Sequence, residues 1–232
     1  MDEDYFEKLT DSQKQLVLED YRVAQKDGFI SVMNFVCNKI NNLIEKGVIS
    51  DFVQVRARIK SFESSIHNDE NKALDDIFGM EIITATEEEY TRIMRYLKQY
   101  MNECKKKDHD KKECGYKAKH RGWTIKEEYL KDLDRKFQSY QGNIPMIEFQ
   151  FKTSEVFIRC NEVGLGHAEY KGETKKEIQE KYDKGEFNLY NIPIMWASKR
   201  INGKLTMELL NEKETLKKIY PFLDTDKERD SR

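Results

Sequence analysis

The stretch FVQVRARI at positions 52–59 decides how the middle of this chain folds. Apolar residues occupy every second position from Val53 to Ile59, and the polar residues between them include Arg56 and Arg58. An alternation of period two is typical of a β-strand that has one face in the core and the other face exposed. We therefore expect a strand whose exposed face carries two guanidinium groups.

Further strands are predicted on the C-terminal side of this one. The strand-like runs, rich in β-branched and aromatic residues, are 77–83, 116–125, 146–152, 192–197 and 204–210. Asn202-Gly203, the strongest short hairpin dipeptide, stands between the last two runs. Helical patterns separate several of the runs, so the sequence predicts an α/β (α+β) fold with a mixed sheet of about five strands flanked by helices.

The helices are predicted from apolar periodicity and from capping residues. They cover 11–26 and 30–46, separated by Gly28 and stopped by Gly47, then 61–67, 86–101, 173–184 and 212–219, with an amphipathic insert at 127–140. The lysine-rich run 104–114 has no apolar periodicity, and we expect it to be a solvated loop.

Length and charge limit the classes of protein to consider. The 232 residues suffice for one core, and we expect one domain with N-terminal helices (1–50), a central core (51–187) and a C-terminal hairpin, helix and frayed tail (188–232). The 41 basic and 43 acidic residues nearly balance, which is unlike a general nucleic-acid binder. Because no stretch resembles a membrane span or a leader peptide, we expect a cytoplasmic protein with no membrane partner.

Two cations and a hydroxyl stand together at the end of the first strand. Arg58, Lys60 and Ser61 lie just before a predicted helix, where a guanidinium, an ammonium and helix N–H groups can converge on a phosphate chain. Two cations alone are more often a solvated strand face.

Two carboxylates mark the ends of two other strands. Asp76 precedes the run 77–83, and Glu148 shares a face of 146–152 with Gln150. Carboxylates on neighbouring strands can hold Mg²⁺ and leave positions open for substrate phosphates. A single acidic residue at a strand end is usually an ordinary surface residue, but the nearby cations favour a metal pair here.

An aromatic residue and a histidine follow the basic run. In the sequence GYKAKH at 115–120, Tyr116 and His120 fall on one face of the predicted strand, and Lys117 lies between them. Such an aromatic ring beside cations can stack a base and hold its phosphates, although Tyr116 is equally compatible with a core position.

Together these segments resemble the synthetase domain of the RelA/SpoT family, which also occurs as small alarmone synthetases. The matching segments are RxKSxES-like 58–64, DDIxG-like 75–79, GYxxxH-like 115–120, EfQfKT-like 148–153 and HxxYK-like 167–171. They stand in the family's order and span about half of the chain.

The resemblance implies a nucleotidyltransferase-like synthetase fold whose central core is the segment 51–187. It implies a pyrophosphokinase that transfers the β,γ-pyrophosphate of ATP to the ribose 3′-hydroxyl of GDP or GTP, producing (p)ppGpp-type alarmones. By position, Arg58, Lys60 and Ser61 would bind ATP, Asp76 and Glu148 would be catalytic and hold Mg²⁺, and Tyr116, Lys117, His120 and Gln150 would bind the acceptor. Glu148 would also take the proton of the 3′-hydroxyl.

Three departures from the family pattern leave the acceptor open. Glu81 stands where the family usually has Arg, Lys152 replaces another Arg, and the segment before residue 115 lacks the family's usual acceptor loop. The alternative is a toxin of the same fold that pyrophosphorylates the 3′ CCA end of tRNA. Its tRNA contacts would be Lys105, Lys106, Lys107, Lys111 and Lys112.

A third hypothesis is a non-catalytic nucleotide-binding module, for which the negative charge of Glu81 is the chief argument. The sequence also leaves open whether the chain has an antitoxin partner or forms a homo-oligomer.

Overall fold

The computed structural model describes residues 9–61, 77–111, 116–133, 145–162, 174–186 and 192–223. Within these ranges, the side chains of Asp11, Lys111, Tyr116 and residues 160–162 are outside the description. Several predictions fall on residues that are not described: the helix at 61–67 beyond Ser61, the carboxylate Asp76, Lys112, the insert beyond residue 133, the motif at 167–171 and the tail beyond residue 223.

A mixed sheet forms the centre of the described structure. Its seven strands are β1 (Gln54–Ile59), β2 (Phe78–Thr84), β3 (Met101–Lys111), β4 (Tyr116–Ile125), β5 (Ile147–Thr153), β6 (Ile194–Ile201) and β7 (Lys204–Leu209). They lie in the order β3-β4-β5-β2-β1-β6-β7, with β2 and β5 parallel and the other neighbours antiparallel. The predicted class is confirmed, with seven strands where about five were expected.

The helices are α1 (Asp11–Glu45), α2 (Glu87–Leu97), α3 (Ser154–Glu162), α4 (Lys175–Asp183) and α5 (Glu212–Ile219), with a 3₁₀ turn at Glu127–Asp132. Capping boxes open four of them, with Thr10, Thr86, Thr174 and Asn211 as the capping residues. Helix α2 ends at Leu97, short of the predicted boundary at 101, because Met101 already pairs with Ile125 in β3. Helix α3 was not predicted.

The two predicted N-terminal helices form one continuous helix of 35 residues. Gly28 is buried inside it, and the helix ends before Gly47, which has a φ of 63°. A glycine inside a helix costs only about 1 kcal/mol, which tertiary packing can outweigh. Phe29 supplies such packing, because its ring centroid lies 5.2 Å from that of Phe78 and 5.8 Å from that of Trp196.

The predicted loop at 104–114 is wrong over residues 104–111, because β3 continues to Lys111 and pairs with β4 along its length, and residues 112–114 lie outside the described ranges. The register shifts between Glu103 and Lys105, which is the mark of a β-bulge. The side chains of β3 are mostly exposed, so the strand has no apolar alternation. A lysine-rich sequence is also typical of an edge strand, where charge discourages pairing with other chains.

The main core lies on one face of the sheet, beneath α1 and α2. Phe149 and Phe151 point into it from β5, and the ring of Trp123 lies 5.2 Å and 5.6 Å from theirs. A smaller apolar cluster joins α4 to α5. The other face of the sheet is polar over its central strands, and α3 contacts that face. Within the described residues, no helix combines the length and the apolar character that a membrane span needs.

The C-terminal hairpin extends the sheet beyond β1. Asn202 and Gly203 have φ values of 51° and 79°, as a type I′ turn requires, so the predicted hairpin is confirmed. In the core behind the hairpin, the amide of Asn41 on α1 donates to the carbonyl of Leu205 at 2.9 Å and accepts from its N–H at 2.8 Å.

Replacing Asn41 with Leu should therefore lower the free energy of unfolding by about 2–4 kcal/mol, because both buried backbone groups of Leu205 lose their partner. Asn42→Leu is the matched control on the exposed side of the same helix turn and should change stability by less than about 0.5 kcal/mol. Urea unfolding of both variants measures the difference. Equal losses would contradict the bridging role of Asn41.

Candidate active site

Two rows of side chains cross the polar face of the sheet. The pairing register aligns Arg58, Gly79, Glu148 and Gly122 in the first row, across β1, β2, β5 and β4. The same register aligns Arg56, Glu81, Gln150 and His120 in the second row. Since neighbouring strands lie about 4.8 Å apart, side chains that are adjacent within a row can interact directly.

Glu148 lies between two glycines in the first row, which leaves space around its carboxylate. Arg58 fills part of that space, because a Cβ on Gly79 would lie 3.3 Å from Nε of Arg58. On the other side, a Cβ on Gly122 would lie 3.1 Å from Cβ of Lys105 and 3.0 Å from Sδ of Met146. The glycine on β2 therefore lets Arg58 reach from β1 toward Glu148, and the glycine on β4 lets Lys105 of β3 and Met146 pack close to the sheet.

The Glu148 carboxylate is ionised and held by two hydrogen bonds. Nδ1 of His120 lies 3.0 Å from Oε1, and Nε2 of Gln150 donates to Oε2 at 2.8 Å. Burial alone would raise the pKa of Glu148, but the hydrogen bonds from His120 and Gln150 and the charges of His120 and Arg58 outweigh it and lower the pKa to about 2. An ionised carboxylate accepts hydrogen bonds only, so His120 carries its proton on Nδ1.

The imidazole of His109 extends this group toward the edge of the sheet. Its ring centroid lies 4.4 Å from that of His120, with the planes at 62°. Lys107 pairs with His120 in the register, and Lys105 pairs with Gly122, so both lysines share the polar face with Glu148. Lys106 pairs with Arg121 and lies on the opposite face.

Glu81 of the second row forms an ion pair with Lys152, which lies two residues after Gln150 on β5. Nζ of Lys152 lies 2.5 Å from Oε1 of Glu81, and Arg56 is 3.9 Å from Oε2. The guanidinium of Arg56 also packs on the ring of Phe157 in α3, at 4.2 Å. Burial would raise the pKa of Glu81, but the charge and hydrogen bond of Lys152 and the charges of Arg56 and Arg58 lower it. The negative charge of Glu81 is therefore compensated within the protein.

The structure brings together some of the predicted site residues and separates others. Arg58, Glu148, Gln150 and His120 lie side by side on the polar face. Lys60 and Ser61 directly follow β1 and are almost fully buried. Lys117 does not join this group, because strand alternation turns it to the α2 face, where Nζ lies 2.5 Å from Oε1 of Glu87.

Sequence reasoning missed three features of this face: the position of Gly122, the contact of His109 with His120, and the pairing of Glu81 with Lys152. Gly122 and His109 were missed because their neighbours depend on the β3–β4 pairing, and β3 was interpreted as a loop. The pairing of Glu81 with Lys152 depends on the register of β2 against β5. Because Glu81 and Lys152 both depart from the family pattern and carry opposite charges, the sequence could have suggested that they pair.

Glu148 fits the chemistry of a Mg²⁺ ligand, because it is ionised, partly exposed and bordered by residues without side chains. Asp76, its predicted partner, immediately precedes Ile77 in the chain and lies outside the described residues. Across the described ranges, no cluster of three or more His, Cys, Asp or Glu residues forms a metal site.

The fold is similar to that of small alarmone synthetases, in agreement with the resemblance of the sequence motifs. Among solved structures, small alarmone synthetase 1 from Bacillus subtilis matches with a TM-score of 0.50 at 15% identity, over 69% of this chain and 83% of that one. A GTP pyrophosphokinase family protein from Streptococcus pneumoniae matches with a TM-score of 0.50 at 17% identity, over 70% of this chain and 82% of that one.

The Bacillus subtilis enzyme bound to its product pppGpp matches similarly, with a TM-score of 0.50 at 16% identity, over 69% of this chain and 84% of that one. No protein-family model and no curated protein sequence matches the chain. At these identities the similarity establishes the fold and does not establish the activity.

The ion pair between Glu81 and Lys152 leads to a test of stability. Glu81→Gln removes the carboxylate that pairs with the nearly buried ammonium of Lys152 and should lower the free energy of unfolding at neutral pH by about 2 kcal/mol, less than for a fully buried pair. Because the folded pKa of Glu81 is lowered, this contribution is present above the unfolded pKa of about 4.3 and is lost as the pH falls through the folded value.

Urea unfolding of the parent and of Glu81→Gln between neutral pH and pH 3 or below, about one unit under the unfolded pKa, should show the two curves converging in acid. The control is Glu81→Gln/Lys152→Met, which removes both charges and should recover most of the loss. A difference that does not change with pH would contradict the ion-pair explanation.

Proposed function

We propose that this chain is a pyrophosphokinase, which transfers the β,γ-pyrophosphate of ATP to the ribose 3′-hydroxyl of a guanine nucleotide. The observation that carries the proposal is the first row of the polar face, where Arg58 reaches across Gly79 toward an ionised Glu148. A cation beside a fixed carboxylate suits a triphosphate with its metal ion, and the same face offers hydrogen-bonding groups for an acceptor.

In the proposed reaction the acceptor 3′-oxygen attacks the β-phosphorus of ATP, the bond from that phosphorus to the α,β-bridging oxygen breaks, and AMP leaves. In the proposal, Arg58, Lys60 and Ser61 would bind the ATP phosphates, and Asp76 and Glu148 would hold Mg²⁺. The metal, when bound, neutralises charge on the phosphates. Such transfers depend on positioning and on charge neutralisation more than on covalent catalysis.

Glu148 is better suited to hold a cation than to act as the base. With a pKa of about 2 it is a weak proton acceptor, and its hydrogen bonds from His120 and Gln150 fix both oxygens. Phosphoryl-type transfer has a loose transition state, so the hydroxyl proton leaves late and passes to solvent water, and a strong protein base is not required. In the proposal, Gln150 and His120 also orient the acceptor, and Tyr116 stacks on its base.

The fold supports this proposal, since one similar structure binds pppGpp as its product and another is a GTP pyrophosphokinase family protein. The hypothesis of a non-catalytic module loses its chief argument, because Lys152 and Arg56 compensate the charge of Glu81. The polar face also carries Arg58, Glu148, Gln150 and His120, and such cations, carboxylates and hydrogen-bonding groups are what a phosphate-transfer site requires.

Transfer should be abolished in Glu148→Gln and in Asp76→Asn, because each change removes one charge from the metal site and alters the side-chain volume little. The assay incubates the protein with γ-labelled ATP, Mg²⁺ and GDP or GTP and follows the label into product. Glu155→Gln on α3 is the matched control and should keep the parental rate. Activity within about tenfold of the parent, under about 1.4 kcal/mol in barrier, would contradict the assignment of that carboxylate.

A tRNA acceptor is the second candidate, and one observation favours it. Lys105 and Lys107 are exposed on the polar face, on the edge strand that continues the two rows past His120. A tRNA 3′ end that reaches Glu148 from that edge would pass over both ammonium groups, and a nucleotide acceptor would not need to. Lys106 on the opposite face does not share this position, and the side chains of Lys111 and Lys112 are not described.

If tRNA is the acceptor, Lys105→Glu/Lys107→Glu should lower the labelling of deacylated tRNA about tenfold or more and flatten its salt dependence, because two phosphate contacts are lost. Labelling of GDP or GTP should change much less. The matched control is Lys46→Glu/Lys204→Glu, which makes the same change in charge at exposed positions outside β3. Unchanged tRNA labelling in Lys105→Glu/Lys107→Glu would show that the edge strand does not contact the tRNA. Efficient labelling of GDP or GTP alone would identify the acceptor as a nucleotide.

A further inference from the structure

A second charged region lies on the opposite face of the sheet, between α2, the edge strand β3 and its neighbour β4. It is a cleft of about 190 Å³ whose lining contains four cations, Arg95, Lys98, Lys106 and Arg121. The lining contains a single carboxylate, that of Glu103. None of these residues belongs to the two rows of the candidate active site, so the cleft needs its own explanation.

The positive charge of the cleft is only partly neutralised by the protein. Arg121 is almost fully buried and donates to Oδ1 of Asp108 at 2.5 Å, and its charge and hydrogen bond lower the pKa of that carboxyl. Arg95 and Lys106 are exposed, and in the described part of the chain neither forms an ion pair with a carboxylate, although the charge of Lys106 helps to lower the pKa of Asp108. Their charges are therefore available to an anion from solution.

Glu103 shows where an anion fits in this cleft. Three donors surround its carboxylate at long distances: Nζ of Lys98 at 3.7 Å, Nε of Arg121 at 3.6 Å and Nε1 of Trp123 at 3.4 Å. Charge-assisted hydrogen bonds are usually about 2.7–2.9 Å long, so a single carboxylate does not satisfy these donors. A larger anion with several oxygens would satisfy them better.

We propose that this cleft is a second anion site, which binds a compact phosphate-bearing ligand such as inorganic pyrophosphate. Its volume is below the roughly 300–1,000 Å³ of sites that enclose a drug-sized ligand, so it suits phosphate groups more than a whole nucleotide. The four cations converge from the C-terminal end of α2, from β3 and from β4, and Arg and Lys side chains are the groups that recognise phosphate. The proposal stands whether or not the chain is a pyrophosphokinase.

The site is connected to the polar face through β4. Arg121 and His120 are consecutive residues on opposite faces of that strand, and Nη1 of Arg121 donates to the carbonyl of His120 at 2.6 Å. An anion that hydrogen-bonds to the Arg121 guanidinium therefore acts on a group that also donates a hydrogen bond to the backbone carbonyl of His120. Occupation of the cleft gives the protein a physical route for regulating its candidate active site.

Nitrogen–proton correlation spectra of the full-length chain test the proposal through the tryptophan indoles. The chain has 2 tryptophans, and the indole N–H of Trp123 points to Glu103 in the cleft, whereas Trp196 lies in the core on β6 and serves as an internal reference. Trp196→Phe assigns the two signals. Titration with pyrophosphate, without Mg²⁺, should shift the Trp123 signal saturably with a sub-millimolar dissociation constant, and sodium chloride at equal ionic strength should not.

The lining variants give effects of opposite sign. Arg95→Gln/Lys98→Gln removes two exposed cations and should weaken pyrophosphate binding about tenfold, whereas Glu103→Gln removes the competing carboxylate and should strengthen it about threefold. Lys46→Gln/Lys204→Gln, remote from the cleft, should leave the affinity unchanged. Because Arg95 and Lys98 are exposed, their variant should fold normally even if Glu103→Gln does not.

Two results would overturn the proposal: a Trp123 shift that chloride reproduces, or an affinity that is the same in the parent and in Arg95→Gln/Lys98→Gln. Parallel titrations with phosphate and with ATP distinguish the sources of the phosphate group. Equal or tighter binding of pyrophosphate than of ATP supports a compact ligand, and a response to ATP alone would contradict it.

Discussion

The parallel pairing of β2 with β5 is the constraint on which the polar face depends. It places Gly79 beside Glu148 and Glu81 beside Gln150, and the antiparallel strands on either side then add Arg58 and His120. A shift of this register by one residue would turn Glu148 into the core and would bring Phe149 to the exposed face. The same apolar residues that hold the sheet against α1 and α2 therefore also fix the position of every polar group on the other side.

The cost of desolvating charged groups also determines which residues stand together on the polar face. A carboxylate in this position is costly unless donors and cations surround it, and both Glu148 and Glu81 have them. The two rows differ in how they meet this requirement. In the second row the charge of Glu81 is neutralised within the protein, because Lys152 and Arg56 pair with it. In the first row Glu148 is bordered by glycines, which leaves space for a ligand.

Much of this arrangement could be predicted from the sequence, because period-two alternation is a local property. The faces of β1 and β5, the helix cap at Thr86 and the hairpin at Asn202-Gly203 were predicted correctly on that basis. The break at Gly28 was wrong, since burial against distant aromatic rings outweighs a local preference.

Strand β3 could not be predicted by the same reasoning. An exposed edge strand derives its order from hydrogen bonds to a neighbour and has no apolar pattern of its own. Its misassignment also hid which lysines face Glu148 and which face the α2 side, because that distinction depends on the pairing of β3 with β4.

The connection between β2 and β5 has a consequence for how the protein reaches its active form. Two strands that are neighbours in space are separated in the chain by α2, β3 and β4, so their pairing closes a long loop. Contacts of high sequence separation form slowly, because the entropy of loop closure is lost before the contacts can compensate it. A nascent chain in which β5 has not yet been translated contains Arg58 and Gly79 but not Glu148. The order of synthesis thus delays any chemistry at this face until the central sheet is complete.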